Sequence, residues 1–297
     1  MGYINVFVSS DAYIYVKNNQ MILENNNNKL DYPIEDINAV MIESLNTTIS
    51  TYTLSQFSEN GILVYICNKN HLPCGIVLPY VEHYQTLSQF NLQTGLSKPL
   101  QKQLWQSIIK NKIKNQNDVL NCCGVYDKLK PLADTVLSGD STNNEAKASL
   151  IYFKELFGKK FVRRDDNIIN SYLNYGYSIL RGLIARSIVV HGLIPFLGLF
   201  HSNAYNQFNL ADDLIEIFRP IVDMFVKFKL LNEFELTPKI KAEIFTILNI
   251  DVIIDNQKQT VNNAVDILIE NYIKSLKENK NLLKEVSLCG LNYHSYE

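Results

Sequence analysis

The hydrophobic pattern changes character once along the chain. Up to about residue 80 the apolar residues come in short runs: "YINVFVSS" from Tyr3, "AYIYVKNNQMILEN" from Ala12, "INAVMIES" from Ile37 and "ILVYICN" from Ile62. They are rich in Val, Ile and Tyr, alternate in part with polar residues, and are punctuated by Gly, Asn and Pro, which predicts β-strands. One intervening segment departs from this. "TISTYTLSQFSENG", 48–61, predicts a short helix, with Ser50 or Thr51 as its cap, Leu54, Phe57 and Ile62 as apolar positions and Gly61 as its stop. "HLPCGIVLPY" then returns as a strand pair or turn, with Pro73 and Pro79 as breakers.

From about residue 84 the period becomes helical. Leu87, Phe90, Leu92 and Leu96 lead into Leu100, Leu104, Ile108 and Ile109, which follow a 3.6-residue repeat. Further helices are expected between 115 and 275. The last is "NNAVDILIENYIKSLKENK", with Val265, Leu268, Ile269, Tyr272, Ile273 and Leu276 on one face. No internal repeat is visible. The expected class is α+β: a small β-rich domain over residues 1–83, followed by a larger all-α domain over residues 84–297.

Composition narrows the setting. With 46% hydrophobic and 20% charged residues, no window is apolar enough to span a bilayer. The start, "MGYINVFVSSDAYIYV", lacks the basic onset and long apolar run of a signal peptide, and none of the five cysteines forms a CxxC pair. An odd thiol count without an export signal points to reduced cysteines in a cytoplasm. The "NNNN" at 25–28 reads as compositional drift. The net charge of −2 gives no support by itself to nucleic-acid binding. Locally the picture differs: "KPLQKQLWQSIIKNKIK", 98–114, holds five lysines and no acid, and "FGKKFVRRDD" places Lys159, Lys160, Arg163 and Arg164 close together. Each reads either as a solvated helix face or as a phosphate-tracking surface.

The densest ionisable chemistry lies in "HSNAYNQFNLADDLIEIFRP", 201–220. Asn209 as N-cap predicts a helix from Leu210, with Leu210, Leu214, Ile217 and Phe218 on its apolar face. Asp212 and Asp213 then fall in the first turn, where the helix dipole favours negative charge. Glu216 lies three residues beyond Asp213 on the same side, and two such charges repel unless a cation is near. His201 precedes the helix in an Asn-rich turn able to fold back. A histidine with carboxylates is a ligand set for Mg2+ or Mn2+. Glu145, in "SGDSTNNEAKASLIYFKELFG", is a third candidate, although with Thr142 it also matches a capping box. His191 reads as a satisfied core histidine and His294 as part of a frayed tail. His71 and His83 flank a proline-rich turn near Cys67 and Cys74 without zinc spacing. Arg181 and Arg186 suit packing against acids, and Arg219 suits phosphate contact or a pair with Asp223. No Walker loop, GxGxxG, GxSxG or HExxH occurs, which removes the usual nucleotide, dinucleotide, α/β-hydrolase and zinc-protease readings.

Taken in order, three segments resemble the integrase of CRISPR adaptation, the family called Cas one. "YPIEDINAVMIESLNTTISTYTLSQFSENGILVYICNKNHLPCGIVLP" resembles its β-domain, "RRDDNIINSYLNYGYSILRGLIARSIVVHGLIPFLGLFH" its helical signature, and "NLADDLIEIFRPIVD" the signature that closes the site. "QKQLWQSIIKNKI" and "HSNAYNQFNLADDLIE" look most like the version accompanying a single-effector nuclease, the type II systems. The resemblance implies a metal-dependent DNA endonuclease and integrase that inserts captured fragments into a CRISPR array, by attack of a 3′-hydroxyl on a phosphodiester at the repeat end. It implies Glu145, His201 and Glu216 as catalytic and metal ligands for Mg2+ or Mn2+, with Asp213 as a supporting carboxylate. The residue after the first glutamate, often glycine in relatives, is Ala146 here. DNA contacts are expected at Lys159, Lys160, Arg163, Arg164 and Arg219. Implied partners are double-stranded DNA with 3′ ends, CRISPR repeat DNA, a second copy of the chain, a small second Cas protein whose dimer bridges two such dimers, and other type II adaptation proteins. The alternatives are a stand-alone or transposon-type DNase or integrase outside CRISPR, and a non-catalytic DNA-binding assembly subunit.

Overall fold

The computed structural model describes residues 2–25, 28–80 and 85–293. The expected domain boundary at 83/84, His83 and His294 lie outside the described residues. The strand-rich part contains β1 (Ile4–Val8), β2 (Tyr13–Lys17), β3 (Gln20–Glu24), β4 (Lys29–Pro33), β5 (Ile37–Ile42), β6 (Thr48–Ile49), α1 (Thr51–Glu59), β7 (Leu63–Cys67) and β8 (Pro73–Val77). They form two four-stranded sheets, β1-β5-β7-β8 and β4-β3-β2-β6. The run from Ala12 folds as a hairpin, because Asn18 and Asn19 take φ of 52° and 57°, the left-handed region that asparagine tolerates in two-residue turns. Ser50 is the α1 cap, its Oγ accepting from Thr53 N at 3.1 Å.

Alternation along β5 and β7 divides the first sheet between two cores. Val40 and Val64 join Val6, Val8, Ile14 and Phe57 on one side, while Ala39, Met41, Leu63, Tyr65 and Cys67 pack into the main helical core on the other. Tyr65 reaches furthest, donating its hydroxyl to the Ile179 carbonyl at 2.5 Å. That approach needs a glycine opposite: a Cβ at Gly182 would run into the Tyr65 ring.

The helical part comprises α2 (Thr86–Thr94), α3 (Lys98–Cys122), α4 (Lys130–Asp134), α5 (Asn144–Phe157), α6 (Ile168–Val190), α7 (Asn209–Leu214), α8 (Arg219–Phe225), α9 (Pro238–Phe245) and α10 (Val261–Glu278). α3 and α10 bury the residues their periodicity predicts, from Leu100 to Ile109 and from Val265 to Leu276. α2 does not: Leu87 is 72% exposed, whereas Gln89 and Gln93 face inward. Gln93 exchanges hydrogen bonds with the Ile194 backbone, donating to its carbonyl at 3.1 Å and accepting from its amide at 2.8 Å, so a polar anchor sets the rotation of the helix.

The α+β reading holds. The helical part also carries a small sheet, β10-β9-β11, built from β9 (Ile250–Ile254), β10 (Gln257–Thr260) and β11 (Val286–Tyr293). Periodicity passes over it because a short run such as "IDVII", apolar except for Asp251, reads equally as the end of a helix. Among the described residues no helix is long and apolar enough to cross a membrane.

Candidate active site

The start of α5 places Glu145 and overturns the capping-box expectation. Thr142 donates its hydroxyl to Asn144 Oδ1 at 3.0 Å, and Asn143 sits at φ 54° in the capping position without a side-chain cap. Asp140 takes the free amides instead, accepting from Asn144 N at 2.8 Å and Glu145 N at 3.0 Å. A carboxylate offers two acceptors and a charge suited to the helix N-terminus. Glu145 is thereby released from capping.

Glu216 stands where the predicted helix is interrupted. α7 ends at Leu214, residues 215–217 form one 3-10 turn, and α8 resumes at Arg219. Pro220 explains the break: lacking an N–H, it cannot donate to the carbonyl four residues back, which is that of Glu216. Asn209 is not the cap. The helix begins at Asn209 itself, whose amide donates to the Phe196 and Asn203 carbonyls at 3.1 and 3.0 Å and so ties down the preceding loop.

The two glutamates meet across α3. Lys112 Nζ lies 2.5 Å from Glu145 Oε1 and 2.5 Å from Glu216 Oε2. Arg219 Nε pairs with Glu216 Oε1 at 2.9 Å, while its guanidinium lies 4.7 Å from the centre of the Tyr177 ring. Asn115, one turn beyond Lys112, donates to the Ile217 carbonyl at 3.0 Å and fixes α3 to the turn that carries Glu216. Burial works against the Lys112 ammonium, but the charges of Glu216 and Glu145 outweigh it and hold its pKa above the ordinary lysine value. For Glu216 burial pushes upward, and Lys112 and Arg219 more than reverse it, so the carboxyl titrates below its usual range.

Asp213 faces away from this cluster, which removes the expected repulsion from Glu216. It is fully buried and accepts from the amides of Leu199 (2.5 Å), Phe200 (3.1 Å) and His201 (3.0 Å), and from His201 Nδ1 at 2.7 Å. The loop can close this tightly because residue 198 is glycine; a Cβ there would collide with the His201 carbonyl. The His201 ring stands edge-on to Trp105 of α3 and to Phe200, and those two rings stack at 4.4 Å. The hydrogen bond to Asp213 raises the His201 pKa against the opposing effect of burial. With Nδ1 given to a carboxylate, Nε2 is left for a ligand, the way a metal-binding imidazole is oriented.

Among the described residues no three His, Cys, Asp or Glu side chains are gathered closely enough to hold a metal together. Glu145 and Glu216 close on Lys112, and His201 closes on Asp213. The two glutamates nonetheless suit a hard divalent ion, since their carboxylate oxygens already converge on one cation, whereas His201 lines a separate cavity with Ser202 and Asn203.

A cavity of about 660 Å3 opens over Lys112, Glu145 and Glu216, bounded by Ala146 and Arg219 and rimmed by Arg163 and Arg164. Arg163 is engaged structurally, donating to Asn170 Oδ1 at 3.1 Å and Asn174 Oδ1 at 2.7 Å. Arg164, Lys159 and Lys160 are exposed. The Arg219–Glu216 pair replaces the expected one with Asp223, which accepts from the Tyr177 hydroxyl and whose carboxyl burial pushes up to about 6. Arg181 has its acid, Asp212, at 2.6 Å, whereas Arg186 reaches the side-chain oxygens of Asn38 and Asn262 at 3.0 and 2.9 Å. His191 is satisfied by the Ser187 carbonyl at 2.8 Å.

Lys112 is the site residue that sequence reasoning missed, because the run 98–114 reads as either a solvated helix face or a phosphate-tracking surface. A signal was present: at four residues from Ile108 and three from Ile109, position 112 lies on the apolar stripe of α3, where an unpaired lysine does not belong.

The pattern has known counterparts. Residues 6–249 match the family model described as CRISPR associated protein Cas1. The chain is 36% identical over 305 residues to the CRISPR-associated endonuclease Cas1 of Neisseria meningitidis serogroup C, covering 100% of both chains. It is 24% identical over 285 residues to the CRISPR-associated endonuclease Cas1 1 of Francisella tularensis subsp. novicida, covering 88% of this chain and 89% of that one. Among solved structures it is similar to a casposase bound to integration product, with TM-score 0.76 at 18% identity over 100% of this chain and 95% of that one. It is also similar to a CAS1 protein from Thermotoga maritima, with TM-score 0.70 at 18% identity over 99% and 100%. A chain of a Cas6-RT-Cas1 and Cas2 complex gives TM-score 0.69 at 16% identity, over 99% of this chain and 36% of that one.

Proposed function

The chain belongs to the Cas1 family, and from that premise we propose that it is a metal-dependent DNA endonuclease and integrase of CRISPR adaptation, of the type II version. The observation that carries this reading is the convergence of Glu145 and Glu216 on one cation at the base of an arginine-rimmed cavity. A divalent ion, Mg2+ or Mn2+, held by Glu145, Glu216 and His201 Nε2 supplies positive charge against the reacting phosphate when bound. Asp213 keeps the imidazole in one tautomer and orientation. Arg219 and Lys112 bring positive charge beside the phosphate, and Arg163, Arg164, Lys159 and Lys160 hold the flanking backbone.

The reaction is an exchange of esters. The 3′-oxygen of a captured fragment bonds to phosphorus at the repeat end as the bond from that phosphorus to the departing 3′-oxygen breaks. The attacking hydroxyl gives up its proton and the departing oxygen takes one up. One phosphodiester replaces another, so no ATP is consumed, in keeping with the missing Walker loop. Water in place of the 3′-hydroxyl gives hydrolysis from the same site. We take the working form to be a homodimer, two of which are bridged by a dimer of the small second Cas protein, with other type II adaptation proteins joining. The likeness to a Cas1-containing chain of a complex with Cas2 supports that partner.

The test combines the protein, its small partner, a short DNA with free 3′-hydroxyls and a supercoiled repeat plasmid in Mn2+. Wild type joins the DNA, while Glu145→Gln, Glu216→Gln and His201→Ala do not. Joining by His201→Ala at the wild-type rate would sink the site assignment.

A further inference from the structure

Glu145 and Glu216 already share a cation supplied by the chain. Lys112 rises from the middle of α3 with its side chain 6% exposed and its Nζ 2.5 Å from an oxygen of each glutamate. Divalent ions sit about 2.0–2.6 Å from carboxylate oxygens, so the ammonium occupies the space between the same two atoms. The charge balance agrees. Two carboxylates against the Lys112 ammonium and the Arg219 guanidinium sum to zero before any metal enters. A divalent ion added to that set leaves two uncompensated positive charges where the Glu216 side chain is only 8% exposed, which burial penalises.

A second observation lies one turn along α3. Gln116 is 2% exposed and lines the same cavity, and its Oε1 has no hydrogen-bond partner among the described residues. Residues four apart on a helix share a face. An ammonium displaced from the glutamates therefore has an acceptor within reach of its own side chain.

We propose that Lys112 is the resident counter-ion of this site: it holds Glu145 and Glu216 together before metal arrives, competes with metal for their oxygens, and makes metal binding depend on the phosphates that DNA brings. This rests on the metal reading given above. Two backbone phosphates offset the two excess charges, so metal and DNA enter as linked ligands.

The test titrates the full-length protein and Lys112→Gln with Mn2+, following free Mn2+ by electron spin resonance, with and without a short duplex. Without DNA, Lys112→Gln binds Mn2+ roughly tenfold or more tightly than wild type, a small part of what a unit charge a few ångström away exerts. The duplex then tightens Mn2+ binding more in wild type than in the variant. Metal-free Lys112→Gln melts below wild type and gains more from Mn2+. A measurement on wild type alone covers a variant that fails to fold. Lys112 resists acetic anhydride without metal and becomes reactive at saturating Mn2+, read by peptide mass spectrometry. If wild type binds Mn2+ but the variant binds it no better, or Lys112 labelling does not change, the counter-ion role is wrong while the metal reading stands. If neither protein binds Mn2+ with or without DNA, the metal reading falls and this inference with it.

Discussion

Replacing Asp213 with alanine should loosen the loop before α7 and disorder His201 before any chemistry is attempted. The carboxylate is fully buried and accepts three consecutive amides and the His201 ring at 2.5 to 3.1 Å. A hydrogen bond to a charged group contributes about 1.5–3 kcal/mol, and each donor left unsatisfied costs about 1–3 kcal/mol. These terms are not additive, and the His201 side chain is 42% exposed, so water reaches part of the loop. Removing one partner from a buried, charged network costs about 3–5 kcal/mol, and that is the loss expected for Asp213→Ala. Asp213→Asn keeps one acceptor but turns its NH2 towards backbone donors, so its cost is smaller. Both variants lower the His201 pKa, because the charged acceptor that raises it is gone. The sign follows. In wild type the His201 contribution to stability is present below the unfolded value near ~6.5 and is lost as pH rises through the higher folded value. That slope flattens in the variants. Urea melts read the stability, amide exchange at Leu199, Phe200 and His201 reads the loop, and a proton NMR titration reads the ring. Asp213→Ala within about 1 kcal/mol of wild type, with those amides still protected, would refute the reasoning.

Four further outcomes follow from the same geometry. Asp140→Ala loses the α5 cap and about 1 kcal/mol of stability, read by thermal melts, and lowers joining by freeing the turn that carries Glu145. Asp223 binds its proton more tightly folded, at about 6, than unfolded, near ~3.9. Its contribution is therefore full below the unfolded value and lost as pH rises to 6, a swing of about 3 kcal/mol. Urea melts of wild type and Asp223→Asn should accordingly shift in favour of the variant between pH 4 and 7, and a pH-independent difference would count against the burial argument. Gly182→Ala drives a methyl into the Tyr65 ring and destabilises by about 1–3 kcal/mol, and Tyr65→Phe does not rescue it, because the nearest atom is a ring carbon that phenylalanine keeps; thermal melts of the single and double variants read this. Arg164→Ala weakens DNA binding at low salt and reduces the salt slope by about one without moving the melting temperature, whereas Arg163→Ala also lowers stability because it is bonded to Asn170 and Asn174 on α6.

Local order determined most of what was legible. Period-2 runs before residue 80 and 3.6-residue runs after residue 98 report which face meets a core, and the cores formed where those faces lie. The acids and histidine of the site also stood out in order, because they sit beside strong element signals and matched a known signature. α2 departs from its pattern because Gln93 makes two bonds to the Ile194 backbone that outweigh the exposure of Leu87. The small sheet after α9 is not legible because the strands "IDVII" and "QKQT" are too short to show a period.

The partnerships were decided only in three dimensions. A carboxylate's role depends on which cation or donor stands within about 3 Å of it, and that neighbour is usually far away in sequence. Asp140 rather than Thr142 caps α5 because of how the turn approaches the helix. Asp213 and Glu216, three residues apart, serve different clusters because Pro220 breaks the helix between two packed elements. Lys112 and Glu216 are separated by 104 positions yet make an ion pair at 2.5 Å. Sequence alone supplied the candidate ligands; packing α3 between α5 and the Glu216 turn decided that a lysine of the chain stands among them.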